Sequence, residues 1–251
     1  MSFFAGKHAV VTGGGSGIGA AIAAALAQAG CDVTVMGRSA AKLDKKAKQL
    51  GTAFEVADVT DRKSVAAAFA SASDRHGAVA ILVNNAGAAE ASAFAKMDDA
   101  LWDSSLAVNL TGVYNCTRAV IGDMLKAGSG RVVNIASTAA LKGYAYVSAY
   151  CAAKHGVVGL TRALALEYAN KGITVNAVCP GYTNTEIVDR AIEKIISATG
   201  RGRDEALAEL TKVNPQGRLV EPDEVADTVL WVCRQASING QSIAVAGGEV
   251  M

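Results

Sequence analysis

His8-Ala9-Val10-Val11-Thr12 runs straight into Gly13-Gly14-Gly15-Ser16-Gly17-Ile18-Gly19, and an Ala-rich stretch follows. The short apolar run before the glycines reads as a strand buried on both faces. The stretch after them, residues 18–29, has helical spacing. Glycines at such a turn permit a tight bend and a close backbone approach, so that a pyrophosphate can sit at the positive end of the helix. Gly13, Gly15, Ser16, Gly17, Ile18 and Gly19 are therefore candidate cradle residues. The spacing, Thr-Gly-x3-Gly-x-Gly, departs from the commoner Gly-x-Gly-x-x-Gly. A turn without a ligand is the plain alternative, and the strand-to-helix context argues against it.

The same alternation continues outward. Residues 32–36, 53–57, 80–84, Gly130–Ile135 and 173–178 read as further buried strands. Ala40–Leu50, Arg62–His76, 101–127 and 149–171 read as helices between them. Gly30, Gly51, Gly77, Gly128 and Gly172 fall near helix ends, where left-handed caps belong. Strands alternating with helices imply an α/β fold with a parallel sheet covered on both faces. One domain over residues 1–251 is expected. Residues 186–213 break the rhythm: they are more polar, and their flanks resemble short amphipathic helices around Gly200-Arg201-Gly202-Arg203. A mobile cover over a site is the reading of that segment.

Bulk properties narrow the classes. The 251 residues are 51% hydrophobic and 19% charged with a formal net charge of +1, which suits a packed globular chain. Lys and Arg are scattered, so neither a nucleic-acid face nor an anionic-lipid face is expected. Five dispersed cysteines form no metal or disulfide pattern and read as buried free thiols in a reducing compartment. With no leader-like segment and no run of about 20 apolar residues, a cytoplasmic location is expected.

Arg38 and Ser39 follow the second strand, where a ribose-reading residue belongs. An acid there repels a 2′-phosphate, whereas a guanidinium can pair with it. NADP is thus expected over NAD. Further on, Tyr150-Cys-Ala-Ala-Lys154 places a phenol and an ammonium on one helical face. A free phenol is ionised roughly once per thousand molecules at pH 7, and a fixed positive charge beside it is expected to lower its pKa. Such a group can exchange a proton with an alcohol. Ser137 lies just past the strand Gly130–Ile135, at the sheet end where ligands bind, and can hold an oxygen beside Tyr150.

Together these features resemble the short-chain dehydrogenase/reductase family over essentially the whole chain. Further landmarks stand in family order: Asp58-Val59, Asn84-Asn85-Ala86-Gly87, Asn109, Pro180-Gly181-Tyr182-Thr183-Asn184-Thr185 and Gly247-Gly248, with Ser137 thirteen residues before Tyr150. The resemblance implies a seven-stranded Rossmann sheet. It implies that Asp58 and Val59 hold the adenine, that Asn85, Ala86 and Gly87 line the cofactor, and that Thr185 and the backbone at Pro180, Gly181 and Thr183 hold the carboxamide. By the same resemblance Tyr150 is general acid and base, Ser137 positions the carbonyl, and Lys154 lowers the Tyr150 pKa and binds the ribose. Asn109 kinks its helix and orders a water beside the lysine. A homotetramer through residues 101–127 and 149–171 is also implied. From the residues themselves, Asp58 can equally cap the helix after Val59. Trp102 and Trp231 read as packing residues, and His155 is given no chemistry.

Residues 139–146, Val147 and the 186–213 segment are expected to line the pocket of a small-molecule substrate. That segment resembles the lids of polyketide ketoreductases and 3-hydroxybutyrate dehydrogenases. Arg201, Arg203 and Lys212 either meet the phosphate of a thioester carrier or stay solvated. A 3-oxoacyl thioester reductase is the leading expectation, with an NAD-linked dehydrogenase of a secondary, cyclic or sugar alcohol as the alternative. A non-catalytic nicotinamide sensor is a remote third, since Ser137, Tyr150 and Lys154 are all intact.

Overall fold

A computed structural model describes residues 3–251. Seven parallel strands stand in the order β3-β2-β1-β4-β5-β6-β7. They are β1 His8–Thr12, β2 Asp32–Gly37, β3 Ala53–Val56, β4 Val79–Asn84, β5 Gly130–Ile135, β6 Ile173–Pro180 and β7 Ser242–Val245. Every residue of β1 and β6 is buried, as a strand covered on both faces requires. The order reverses between β1 and β4, so the carboxyl ends of those strands border the crevice where ligands enter such sheets.

Helices α1 Gly17–Gln28 and α9 Pro222–Arg234 pack together on one face, with Ile22, Leu26, Val225 and Val229 in a shared core with β1 and β4. The other face carries α3 Arg62–His76, α5 Gly112–Ala127 and α6 Ser148–Tyr168. There Val65, Phe69, Val120, Met124 and Ala165 close over Val10, Leu82 and Val132. Helix α2 Ala40–Leu50 ends at Gly51 and α5 at Gly128, both left-handed, as their places in the sequence require. Helices α7 Glu186–Thr199 and α8 Arg203–Thr211 form the segment that broke the rhythm. They have a small core of their own from Val188, Ile192, Ala206 and Leu210.

The expected elements are present with end shifts of one to three residues, and three regions differ. Residues 101–127 are not one regular helix: α4 Asp99–Leu106 and α5 are joined by a π turn, Ala107–Thr111, which holds Asn109. Helix α9 and strand β7 had no counterpart in the periodicity. Strand β7 is a four-residue edge strand with no fully buried position; β3, at the other edge, has none either, so the strand expected to be buried at 53–57 is an edge strand covered only in part. Trp102 and Trp231 are 36% and 42% exposed, so neither fills the interior of the single chain. Of the five cysteines, Cys151 is only half-buried and the others are buried. No helix among the described residues is long and apolar enough to cross a membrane.

At the opposite end of the sheet from the crevice, His8 is buried. Its Nδ1 faces the Gly77 carbonyl at 2.8 Å and its Nε2 faces Thr34 Oγ1 at 3.0 Å. Burial lowers its pKa below the usual 6.5, and the neighbouring His76 adds to the shift. The unfolded chain therefore takes up this proton first, and the neutral ring contributes stability that is lost as pH falls below about 6.5. Urea midpoints are expected to drop between pH 7 and pH 5 in the parent, and to drop less in His8→Gln; equal slopes would contradict this.

Candidate active site

The cradle is built from the ends of β1 and β4. Thr12 Oγ1 accepts from the main-chain N–H of both Asn85 and Ala86 at 3.0 Å and donates to the Val83 carbonyl at 3.4 Å. Asn85 Nδ2 returns to the carbonyls of Thr12 at 3.0 Å and Gly13 at 3.2 Å. These bonds lock the loop shape and leave no room for side chains. A Cβ on Gly19 would overlap Asn85 Nδ2 and the Gly13 carbonyl, and one on Gly13 would sit 2.8 Å from Asn85 Nδ2. Gly15 differs: a Cβ there would make only ordinary contacts of 3.6 Å to Leu43 and Lys42. Nothing inside the protein demands glycine at 15, whereas a ligand resting on its backbone would.

Ser16 stands at the N-cap of α1 with extended backbone and no capping hydrogen bond, and the first turn holds no acid. The free N–H groups and the positive helix end are left for an anion. Thr185, at the start of α7, comes down over Gly17, where an added Cβ would lie 3.1 Å from Thr185 Cγ2. The cradle and the loop after β6 are thus brought together as the sequence landmarks imply.

Arg38 and Ser39 are exposed at the end of β2. Ser39 caps α2, its hydroxyl accepting from Lys42 N at 3.4 Å. Lys42, Lys45 and Lys46 of α2 line a cleft of about 550 Å³ against Gly15, Ser16 and Gly17, which adds cations that the sequence did not place near the cradle. Lys42 also pairs with Glu186 at 2.9 Å and so ties α7 to α2. Asp58 accepts from Thr60 N at 2.9 Å and Thr60 Oγ1 at 2.8 Å, and these bonds hold its carboxyl below the usual range, with a smaller contribution from Arg38. It does not cap the next helix. That role belongs to Asp61, which accepts from Lys63 N at 2.8 Å. Val59 is buried against Gly112, and its carbonyl accepts from Asn115.

The reacting groups converge past the end of β5. Lys154 is buried, and its Nζ donates to the Ile135 carbonyl at 2.8 Å and lies 5.6 Å from the centre of the Tyr150 ring. Burial pulls its pKa down to about 8. Burial also pushes Tyr150 up to about 12, opposed by a hydrogen bond from the Ser137 side chain. The spacing alone predicts a lowered phenol. The structure reverses the direction, because the low-dielectric surroundings penalise phenolate and ammonium alike. At neutral pH the pair is a protonated phenol beside an ammonium.

Gly87 stands between two of these groups: a Cβ there would lie 2.8 Å from Asn109 Oδ1 and 3.7 Å from Lys154 Nζ. Asn109 is buried in the π turn and holds Ala88 through both main-chain groups, at 3.1 Å to its N–H and 2.8 Å to its carbonyl. Its Nδ2 also reaches the Ser105 carbonyl at 3.0 Å. The expected kink is this π turn. The asparagine side chain is taken up by the main chain of Ala88 and Ser105. Beyond β6, Gly181 N donates to the Val245 carbonyl at 3.1 Å, Thr183 Oγ1 donates to the Gly181 carbonyl at 3.0 Å, and Thr185 Oγ1 donates to the Thr183 carbonyl at 3.2 Å. His155 is exposed, and its Nδ1 faces the Cys151 carbonyl at 2.9 Å.

Comparison with known proteins agrees with this geometry. A family model described as short chain dehydrogenase matches residues 7–195. This chain belongs to the short-chain dehydrogenase family. Ketoacyl reductase 1 of the granaticin polyketide synthase of Streptomyces violaceoruber is 41% identical over 249 residues, covering 96% of this chain and 92% of that protein. Cis-4-hydroxycyclohexanecarboxylate dehydrogenase of Sinomonas cyclohexanicum is 41% identical over 253 residues, covering 98% and 97%. A crystal structure of an actinorhodin polyketide ketoreductase variant with NADPH superimposes with a TM-score of 0.95 at 39% identity, covering 99% of each chain. As a short-chain dehydrogenase the chain is an oxidoreductase that interconverts a carbonyl and an alcohol with a nicotinamide dinucleotide. The tight Gly13 and Gly19, the open Gly15 and the uncapped α1 terminus fit such a group.

In the substrate half, Tyr146 is a non-glycine residue at φ 68° with its side chain largely exposed. Arg201 and Lys212 pair with Glu209, and Arg203 pairs with Asp189 at 2.7 Å. Arg201, Arg203 and Lys212 are therefore each paired with an acid of α7 or α8. Sequence reasoning missed Thr12 as the pin of the cradle and overlooked Glu249, which the fold brings back to Lys142 and Tyr144. Gly19→Ala is expected to cost about 1–3 kcal/mol of stability through overpacking. Gly15→Ala is expected to stay within about 0.5 kcal/mol of the parent while weakening NADPH binding. Thermal melts and fluorescence titration check both, and equal stability losses would contradict the assignment.

Proposed function

We propose that the chain is a 3-oxoacyl thioester reductase, acting on acyl-CoA or carrier-protein thioesters, and in reverse a 3-hydroxyacyl dehydrogenase. The observation that carries this reading is the convergence of half-buried Ser137 and Tyr150 with buried Lys154 past the end of β5, next to the cradle loop at Gly87. The ketoacyl reductase among the relatives supports the substrate class.

Gly13, Gly15, Ser16, Gly17, Ile18 and Gly19 would hold the pyrophosphate of the dinucleotide, and Arg38 and Ser39 its 2′-phosphate. Asp58 and Val59 would hold the adenine, and Asn85, Ala86 and Gly87 would line the riboses. Pro180, Gly181, Thr183 and Thr185 would hold the carboxamide. NADP is the favoured dinucleotide, since Arg38 is exposed at the end of β2 and the α2 lysines stand nearby. When bound, the dinucleotide supplies the hydride. Ser137 Oγ holds the substrate carbonyl oxygen, and the Tyr150 hydroxyl donates its proton to that oxygen as the alcohol forms. A phenol raised to about 12 keeps its proton until a more basic alkoxide develops beside it. The Lys154 ammonium stabilises the phenolate that remains, and in alcohol oxidation the same phenolate is the base. Asn109 fixes the Gly87–Ala88 backbone against which Lys154 rests, and it supports a water-borne proton relay. The α7–α8 segment covers the substrate, tied to α2 by Lys42 and Glu186.

A second reading, an NAD-linked dehydrogenase of a cyclic, secondary or sugar alcohol, is favoured by one observation. Arg201, Arg203 and Lys212 have acidic partners and are not free for a carrier phosphate. We further propose a cytoplasmic homotetramer. Trp102, Tyr114 and Leu166, exposed on α4, α5 and α6, support subunit contacts through those helices.

Tyr150→Phe is expected to lower kcat by at least about 10³-fold while NADPH binds as in the parent; undiminished turnover would overturn the role of Tyr150. Acetoacetyl-CoA is expected to be reduced with at least about tenfold higher kcat/KM than simple ketones, and NADPH preferred over NADH. No advantage for the thioester, with NADH preferred, would turn the assignment to the second reading.

A further inference from the structure

Lys142, Tyr144 and Glu249 form a polar cluster that neither the cradle nor the reacting group uses. Glu249 follows Gly247-Gly248 near the C-terminus, yet its side chain is only 1% exposed. Its Oε1 accepts from the Tyr144 hydroxyl and pairs with Lys142 Nζ at 3.1 Å. The same ammonium donates to the Glu249 main-chain carbonyl at 3.4 Å and lies 4.9 Å from the centre of the Tyr144 ring. Tyr144 also bonds Thr138 Oγ1 at 2.7 Å, directly after Ser137. Glu249 Oε2 is buried without a hydrogen-bond partner among the described residues, against the backbone of Gly181.

Thr138, beside Ser137, and the ring of Tyr182 connect this cluster to the neighbourhood of Tyr150. Tyr182, next to Gly181, meets Tyr144 edge-on with ring centres 6.5 Å apart. It also lies within electrostatic reach of both Glu249 and Tyr150. Lys142 is the sole cation in the loop from Ser137 to Tyr150, and its side chain is still 36% exposed. An unpaired ammonium there would attract any substrate bearing a carboxylate. Held by a buried acid, it offers no net charge, and an incoming carboxylate meets a second carboxylate in a low-dielectric site.

We propose that Glu249 is a specificity-determining residue: by neutralising Lys142 it makes the substrate end of the site favour neutral ketones, esters and thioesters over free oxo acids. This rests on the reading of Tyr150 and Ser137 as the carbonyl site. It also separates the thioester assignment from dehydrogenases of free hydroxy acids.

Acetoacetate and its ethyl ester share one reacting carbonyl and differ in charge. In Glu249→Gln, which keeps an acceptor for Tyr144, the acid-to-ester ratio of kcat/KM with NADPH is expected to rise about tenfold. Adding Lys142→Met is expected to return the ratio toward the parent value. An unchanged ratio in Glu249→Gln overturns the proposal. Should that variant fail to fold, Lys142→Met alone serves: it leaves the carboxylate uncompensated, so the ratio is expected to fall below the parent's, and no fall overturns the proposal. If the parent turns over neither compound, the 3-oxo substrate reading fails. The charge effect is then read from the two affinities for the NADPH-bound protein by calorimetry, where the same shift supports the proposal and equal affinities in parent and variant contradict it.

Discussion

Lys154 carries an ammonium group into the interior of the protein, where the Ile135 carbonyl meets it at 2.8 Å. A buried cation is costly unless its surroundings are fixed to receive it, and much of the site does this. Strand β5 ends where its last carbonyl can accept, α6 begins one turn before so that Lys154 follows Tyr150 on the same face, and Gly87 gives up a side chain to make room. The π turn at Asn109 holds the Gly87–Ala88 backbone in place through paired hydrogen bonds. The residual cost is the fall of the ammonium pKa to about 8.

A buried polar chain across the sheet gives these groups a rigid base. Asn84 Nδ2 donates to Asn134 at 2.8 Å and to Thr117 at 3.0 Å, Asn134 donates to Thr161 at 2.9 Å, and Thr161 donates to the Val157 carbonyl at 2.8 Å. Strands β4 and β5 and helices α5 and α6 are thereby held in one register just beneath the cradle loop and the reacting pair. Asn84 Oδ1 is buried without a partner among the described residues, and a network of this kind fixes geometry more than it adds stability. Thr12, bonded to Asn85 and Ala86, performs the same service between β1 and β4.

What could be read from the sequence follows from how local each signal is. Short apolar runs marked six strands; most are apolar because they are buried on both faces, while β3 is an edge strand with no buried position. The cradle and the Tyr150–Lys154 pair were legible because each lies within a single turn-plus-helix. Strand β7, as short and half-exposed as β3, carries the apolar run Ile243-Ala244-Val245 that periodicity passed over. Helix α9 left a signal that periodicity overlooked: Pro222 at its first turn and Glu224 reaching back to Glu221 N at 2.8 Å. Asp58 and Asp61 both suit a cap, and only the backbone geometry decides for Asp61. The direction of the Tyr150 shift and the Glu249 cluster depend on burial and on contacts about a hundred residues apart in the chain, which no local pattern records.

The protonation state of Lys154 tests the account most directly. Carbonyl reduction needs the phenol protonated, which holds up to about 12, and the ammonium charged, which holds below about 8. The pH profile of kcat/KM for reduction is therefore predicted to be level near neutrality and to fall as pH rises through about 8 in the parent. In Lys154→Met the residual activity is predicted to show no such break. A parent profile that stays level well above that pH, or the same break in Lys154→Met, would contradict a buried ammonium supporting proton transfer from Tyr150.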